Sequence, residues 1–551
     1  MVLHQAAGET ECRESGLSMD FLRSIPVLIL APFFYFGVGL PWSMLGKRIA
    51  WAPLWGVAVM GFSAELGCIA GAPVASAILI VALVHIAIGG WLLGRDEENR
   101  RLLGEELAGF LTMYLMALIP FVAAPFSTPG LWGGDWFVAL ESATHVWHRI
   151  PFTPELLARP PLFGAASIPL LLAGPLVPAF QIFCAVASAC ALQLFRTGLK
   201  QPARRGVIWI LAASLFFLQV TLNAWPKFLS AAFLFAAWQI LEAPSAGRTA
   251  VAGAFLGLAV ASHQSAVLFA PLLLVRLLAS PQPGATRIWQ LMALGMMAAA
   301  VVAPWELHTG LAYGWAAKIH ANPAVSQRID SMPGWLNAVL VGVGTFAAWG
   351  PFYVLYHWLS SPDRLALARI AHEAYWLITS TFNSLAASLL GLILPWWVTL
   401  GGGKLWRRFR DFWSGLGWPV YTALLIALAG QMCLNPYFST DGSLHTGWVP
   451  AGLALALWFA DTPGNAPVGE IGAVLKWTLL LGTIPWVVFN IALTVALVLS
   501  AKFRNLFFDS DLQLLEKNGW TTLAMGGFPW VQGLAAGVGL LAWKLPRRSL
   551  A

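Results

Sequence analysis

The chain has 551 residues, of which 58% are hydrophobic and only 10% charged, and its mean hydropathy is +0.72. A soluble domain carries roughly 25% charged residues to solvate its surface, so a water-soluble globule of this length is excluded and a bilayer-facing surface is implied. The formal charge of +7 does not point to nucleic acid, because the basic residues form short clusters at the ends of apolar runs: Lys47-Arg48, Arg95 with Arg100-Arg101, Arg204-Arg205, Lys404 to Arg410, and Lys544 to Arg548.

The N-terminal stretch through Arg23 is mixed and partly acidic, with no cleavable signal pattern. Predicted spans follow over 25–45, 51–69, 74–94 and 108–126. After a polar-containing segment at 127–165 come 168–194, 207–223, 228–242, 249–262, 264–279 and 288–306. A second long segment, 307–379, includes the apolar stretch 335–358 and is read as re-entrant or interfacial helices that do not fully cross. The remaining spans are 380–400, 416–433, 446–460, 477–500 and 523–543. At roughly 20 residues per crossing this is an all-α polytopic membrane protein of about 13–15 transmembrane helices.

The positive-inside rule places the basic clusters in the cytoplasm. On the far side it leaves 127–165, the turns near 223–227 and 263, the segment 307–379, and the loops 434–445 and 501–520. The N-terminus then lies outside as well. Many of the 29 tryptophans end apolar runs, as expected of an interfacial aromatic belt. Any tryptophan close to a catalytic acid could instead stack on a sugar ring. The five cysteines show no CxxC spacing and read as small buried hydrophobes.

The first long loop concentrates the reactive side chains: Trp132-Gly133-Gly134-Asp135-Trp136-Phe137, Glu141, His145, Trp147-His148-Arg149, and Arg159-Pro160-Pro161-Leu162-Phe163-Gly164. Asp135 follows a glycine pair that lets the backbone turn sharply at the membrane surface. Partial desolvation beside aromatics would make it a better base; the alternative is a helix cap or a solvated loop residue. Glu65 is the only acid between Arg48 and Arg95. An ionisable group within a span is a functional hypothesis by default, although a position near a far-side end would also let it reach water. Gly253 and Gly257 form a small-xxx-small pair suited to helix packing. Gly401 to Lys404 lacks the Walker spacing, and no GxSxG, HExxH or metal-type Cys/His spacing occurs.

The loop acid followed by Arg159-Pro160-Pro161-Leu162 resembles the C-type (GT-C) membrane glycosyltransferases, within them the bacterial protein-mannosyltransferase and aminoarabinose-transferase kind. The similarity continues through Asn223-Ala224-Trp225-Pro226-Lys227, Gly257 to Ser265, Ala303-Pro304-Trp305, and Asp441 to Pro450, and covers roughly 108–460 in order. It implies a core at 108–460 with extracytoplasmic loop helices, preceded by a transmembrane module at 1–107 and followed by C-terminal helices at 461–551. It further implies a polyprenyl-phosphate sugar as donor, and a protein, lipid or glycan as acceptor. Asp135 would be the general base, assisted by Glu141, with Trp136 stacking on the sugar. Arg159, Lys227, His263 and His445 would surround the lipid phosphate, whose charge builds as the glycosidic bond breaks. Lys227 could equally snorkel to the interface, and His263 could be a hydrogen-bonded core histidine.

The chain departs from the family in three respects. Three spans precede the helix into the acidic loop where relatives have one, the acid is not a paired Asp-Glu, and His445 replaces the usual arginine. Some relatives use a divalent metal beside two acids, which stays open here; with no clear acidic triad, transfer without a cofactor or metal is expected. The protein would lie in a bacterial inner (plasma) membrane with its site facing the periplasm. The competing readings are a transporter, a flippase, an envelope polysaccharide polymerase, or a catalytically inert relative.

Overall fold

The computed structural model describes residues 14–123, 135–157, 159–199 and 226–321, with isolated positions from Ile208 to Leu457. The predicted spans 207–223, 380–400, 416–433, 446–460, 477–500 and 523–543, the stretch 335–358 and the C-terminal region 461–551 lie outside the described residues, those isolated positions aside. Among the described residues every regular element is helical. This is the expected outcome where no water is present to satisfy backbone N–H and C=O groups.

Among the described residues, five helices are long and apolar enough to cross a membrane, over Leu22–Leu45, Ile49–Ile69, Val74–Arg95, Leu176–Gly198 and Gly284–Tyr313. The chain is a membrane protein whose described part is all-α. In order, the helices are α1 (Glu14–Leu45), α2 (Ala52–Ile69, entered through a 3-10 turn at Ile49–Trp51), α3 (Val74–Arg95) and α4 (Glu97–Ala123). Then come α5 (Asp135–His148), α6 (Pro154–Leu157), α7 (Leu162–Ala173), α8 (Leu176–Gly198) and α9 (Lys227–Ile240). Last are α10 (Ala246–Ser262), a 3-10 segment (Gln264–Phe269), α11 (Ala270–Leu278), α12 (Gly284–Tyr313) and α13 (Trp315–Ala321).

The boundaries have local causes. After α2, Gly71 takes φ +67, and the N–H groups of Gly71 and Ala72 bond back to Cys68 and Gly67. This left-handed cap satisfies the last carbonyls and favours glycine because it has no Cβ to clash. The predicted span 168–194 is two elements, broken at Gly174-Pro175, where Gly174 is extended. Proline disfavours helix at the residue before it. The predicted span 264–279 is half 3-10 and half α. The predicted span 288–306 runs on to Tyr313, seven residues into what the sequence suggested was a loop.

Helix α8 is the central post: 89% of its apolar window is buried, against 17% for α3 and α12. Tyr35 of α1 packs against Phe183 of α8 at 5.8 Å, and its hydroxyl donates to the Ala166 carbonyl of α7 at 2.5 Å. The N-terminal helices therefore share one core with the later ones. The exposed faces of α3 and α12 carry Leu79, Ile80, Leu83 and Trp91, and Ile288, Trp289 and Met296, as suits a hydrocarbon surround.

Where water and lipid give little drive to association, helices meet through small residues. A Cβ added at Gly253 would overlap the Leu294 backbone of α12, and one at Gly257 would press on Ala298 and Val301. The small-residue pair thus seats α10 on α12. Gly253→Val is expected to lower the melting temperature, consistent with an overpacking cost of about 1–3 kcal/mol. Thermal unfolding in detergent checks this, with Gly247→Ala, which meets open space, as the neutral control.

Alternation of the helices sorts charge to two ends. Arg48 donates to Gln239, Arg196 pairs with Glu106, and Arg276 pairs with Glu242, placing the ends of α1, α8 and α9 and the start of α4 together. At the opposite end α2 turns into α3, and the Arg149 guanidinium bonds the Gly71 carbonyl. The candidate site lies at this second end.

Candidate functional site

Glu65 stands one turn from the end of α2 and is 2% exposed. Its Oε1 has no hydrogen-bond partner. A buried carboxylate without compensation costs free energy, so a position that retains one invites a functional reading. Glu65 faces a cavity of about 470 Å³, which also receives Arg159, Gln264, Trp305, Glu306, Trp315 and Lys318.

Four separate parts of the chain bring these residues together. Arg159 and the Pro160-Pro161 turn arrive from the connection between α6 and α7, tied down where the Phe152 N–H donates to the Tyr313 hydroxyl at 2.7 Å. The Phe152 ring meets Trp305 edge-on at 5.1 Å. Gln264 comes from the break after α10, and Glu306 from the last turns of α12. Gly314, at φ +86, then reverses the chain so that α13 folds back. Lys318 thereby lies 2.7 Å from the Glu306 carboxylate and donates to the Thr309 hydroxyl at 2.5 Å.

The cavity combines carboxylates, cations and indole rings with an apolar wall of Val260, Val267, Val301 and Val302. Its volume falls in the range of small-molecule sites, about 300–1,000 Å³. Such a lining suits an amphiphile that carries hydroxyl and anionic groups at one end. Among the described residues, no three His, Cys, Asp or Glu side chains gather as a metal site.

Of the residues singled out from sequence, Arg159 lines this cavity and Glu65 joins it. Glu141 lies on α5, where its carboxylate is 3.6 Å from His145 Nε2. The other His145 nitrogen faces the Pro151 carbonyl at 2.8 Å and so must donate. Asp135 opens α5, but its side chain and that of Trp136 lie outside the described residues, as does His445.

Lys227 is 4% exposed at the first position of α9. One turn on, the Ser230 hydroxyl bonds the Ala259 carbonyl, bringing this end of α9 beside the end of α10. His263 caps the 3-10 segment: its Nδ1 accepts from the Ser265 N–H at 3.3 Å and lies 2.7 Å from that residue's hydroxyl. The neutral ring therefore carries its proton on Nε2. This is the hydrogen-bonded alternative weighed from sequence, and neither Lys227 nor His263 is among the residues lining the cavity.

Glu306 and Lys318 were not anticipated. Their only sequence signal is an acid and a lysine on either side of Gly314, and the reversal there is what makes them partners.

Fold and cavity together define, over the described residues, an all-helical integral membrane protein with a largely apolar cavity, edged by charged side chains, at one end of its helices. Compared with known proteins, the chain matches no family model, no curated relative and no solved structure.

Proposed function

We propose that the chain is a GT-C-like membrane glycosyltransferase that moves a sugar from a polyprenyl-phosphate donor to an acceptor at the extracytoplasmic face. The observation that carries the reading is the cavity in which Arg159-Pro160-Pro161 meets Glu65, Glu306, Lys318 and two tryptophans. It lies at the end of the helices opposite the Lys47-Arg48, Arg196 and Arg276 cluster. Under the positive-inside rule that is the extracytoplasmic end, which in a bacterial inner membrane faces the periplasm.

In this reading Arg159 holds the lipid phosphate and opposes charge as the glycosidic bond breaks. The indoles of Trp305 and Trp315 stack on the sugar, and Glu65 accepts hydrogen bonds from its hydroxyls. Asp135 takes the proton from the acceptor as the new bond to the anomeric carbon forms and the polyprenyl phosphate departs. Glu141 supports Asp135 from the same helix. The resemblance also assigns Lys227, His263 and His445 to the phosphate; the first two lie off the cavity, so Arg159 carries that role in this reading.

A second reading, a transporter or flippase, is favoured by two observations. Glu65 and Glu306 both lie within spans, and the helix pair α10–α11 is interrupted by the 3-10 segment, as at many transport sites.

The discriminating experiment reconstitutes the purified full chain in vesicles with a panel of polyprenyl-phosphate sugars and measures free or transferred sugar. Release from one donor supports the transferase. Movement of intact donor across the bilayer with no release from any donor overturns it in favour of transport.

A further inference from the structure

The opposite, basic end of the helices holds a second cavity, of about 340 Å³, that the transferase reading does not use. Its polar lining is Lys47, Arg48, Glu106, Thr197, Gln239 and Glu242. Each acid has a cation beside it: Arg196 lies 2.5 Å from Glu106 and Arg276 lies 3.7 Å from Glu242. Lys47 and Arg48 come in addition to those pairs.

Gln239 is the telling residue. It is 8% exposed, and its Oε1 accepts from the Arg48 guanidinium at 3.1 Å. Arginine can only donate, so the amide orientation is fixed with the oxygen toward Arg48. The other end, Nε2, is a buried donor with no acceptor. It rests against Gly198, where a Cβ would overlap it, so the absence of a side chain there is what makes room for the amide.

The Arg48 guanidinium lies 4.4 Å over the Trp51 ring. Burial holds its pKa below the usual value, Glu242 acts against that shift and Arg248 adds to it. Lys47, at the rim, sits at φ +52 in a left-handed cap where glycine would be easier. An unsatisfied donor, a partly dehydrated cation and a rim lysine all call for the same thing, an anionic acceptor.

We propose that this cavity is an anion site that takes a phosphate group, with Gln239 Nε2, Arg48 and Lys47 as its donors. A phosphate could come from an anionic lipid of the adjacent leaflet, whose headgroups basic pockets between helices are suited to hold, or from solution.

The test uses the full chain purified in dodecyl maltoside and follows its melting temperature with phosphatidylglycerol, with phosphate-free diacylglycerol, and with inorganic phosphate against chloride at equal ionic strength. Wild type is expected to melt higher with phosphatidylglycerol than with diacylglycerol if the source is lipid, or with inorganic phosphate over chloride if it is free. Gln239→Leu, which keeps the charge and approximate volume, is expected to lose at least half of that gain. Lys47→Gln, at an exposed position, should do the same and serves if Gln239→Leu fails to fold. No gain from either phosphate source overturns the proposal, as does a gain undiminished in the variants. Because no sugar donor enters this assay, its outcome is independent of the transferase reading.

Discussion

On the proposed transferase reading, Glu65→Leu is expected to give a protein that melts higher than wild type and transfers sugar about 10- to 100-fold less efficiently. The stability gain follows from the carboxylate oxygen that is buried without a partner: removing such a group relieves a cost of about 1–3 kcal/mol. Leucine also suits the apolar valines across the cavity. The functional loss follows from the same oxygen. Without it a sugar hydroxyl is left buried and unpartnered, which costs about 1–3 kcal/mol, and each 1.4 kcal/mol is about tenfold. The loss should appear mainly as a raised KM for the lipid-linked sugar. Paired thermal melts and kcat/KM measurements check both halves. Unchanged kcat/KM would remove Glu65 from the sugar site, whatever the melting temperature. A stabilised but impaired variant is the pattern of a residue kept for function at a cost in stability.

Legibility of the membrane helices in the sequence is good where an apolar run ends at a local stop. The spans expected at 25–45, 51–69 and 74–94 are observed over Leu22–Leu45, Ile49–Ile69 and Val74–Arg95, because Lys47-Arg48, Gly71 with Pro73, and Arg95 interrupt them visibly. It fails where continuation depends on tertiary surroundings. Glu306 and His308 look like the start of a loop, yet α12 passes through both, since Glu306 finds Lys318 and Trp305 finds Phe152. The break at Gly174-Pro175 is a backbone effect to which hydropathy is blind.

The site was legible in fragments. Arg159 was flagged by its Pro-Pro turn and Glu65 by its isolation among apolar residues. That these two face one cavity is a property of packing between α2 and the α6–α7 connection, and no spacing in the chain encodes it. Lys227 and His263 were drawn from the resemblance alone. His263 has a local capping role that the short Ser265 contact explains.

On the same proposed reading, Asp135→Asn is expected to cut turnover by about 10²- to 10⁴-fold, the range for loss of a positioned general base, while leaving donor affinity and melting temperature near wild type. An amide cannot accept the acceptor's proton. Asparagine and aspartate serve helix N-termini about equally well, so the start of α5 at Asp135 should survive the change. The expected kinetic signature is a fall in kcat at constant donor KM, opposite to that of Glu65→Leu. Single-turnover sugar transfer by the two purified variants separates them. If Asp135→Asn turns over at the wild-type rate and Glu65→Leu has lost kcat, the proton is taken inside the cavity and Glu65 is the base. Glu141 is the weaker substitute, because its carboxylate already faces His145 on its own helix and it is not among the residues that line the cavity. A double variant that is no slower than Asp135→Asn alone would place both residues on one transition state rather than on separate steps.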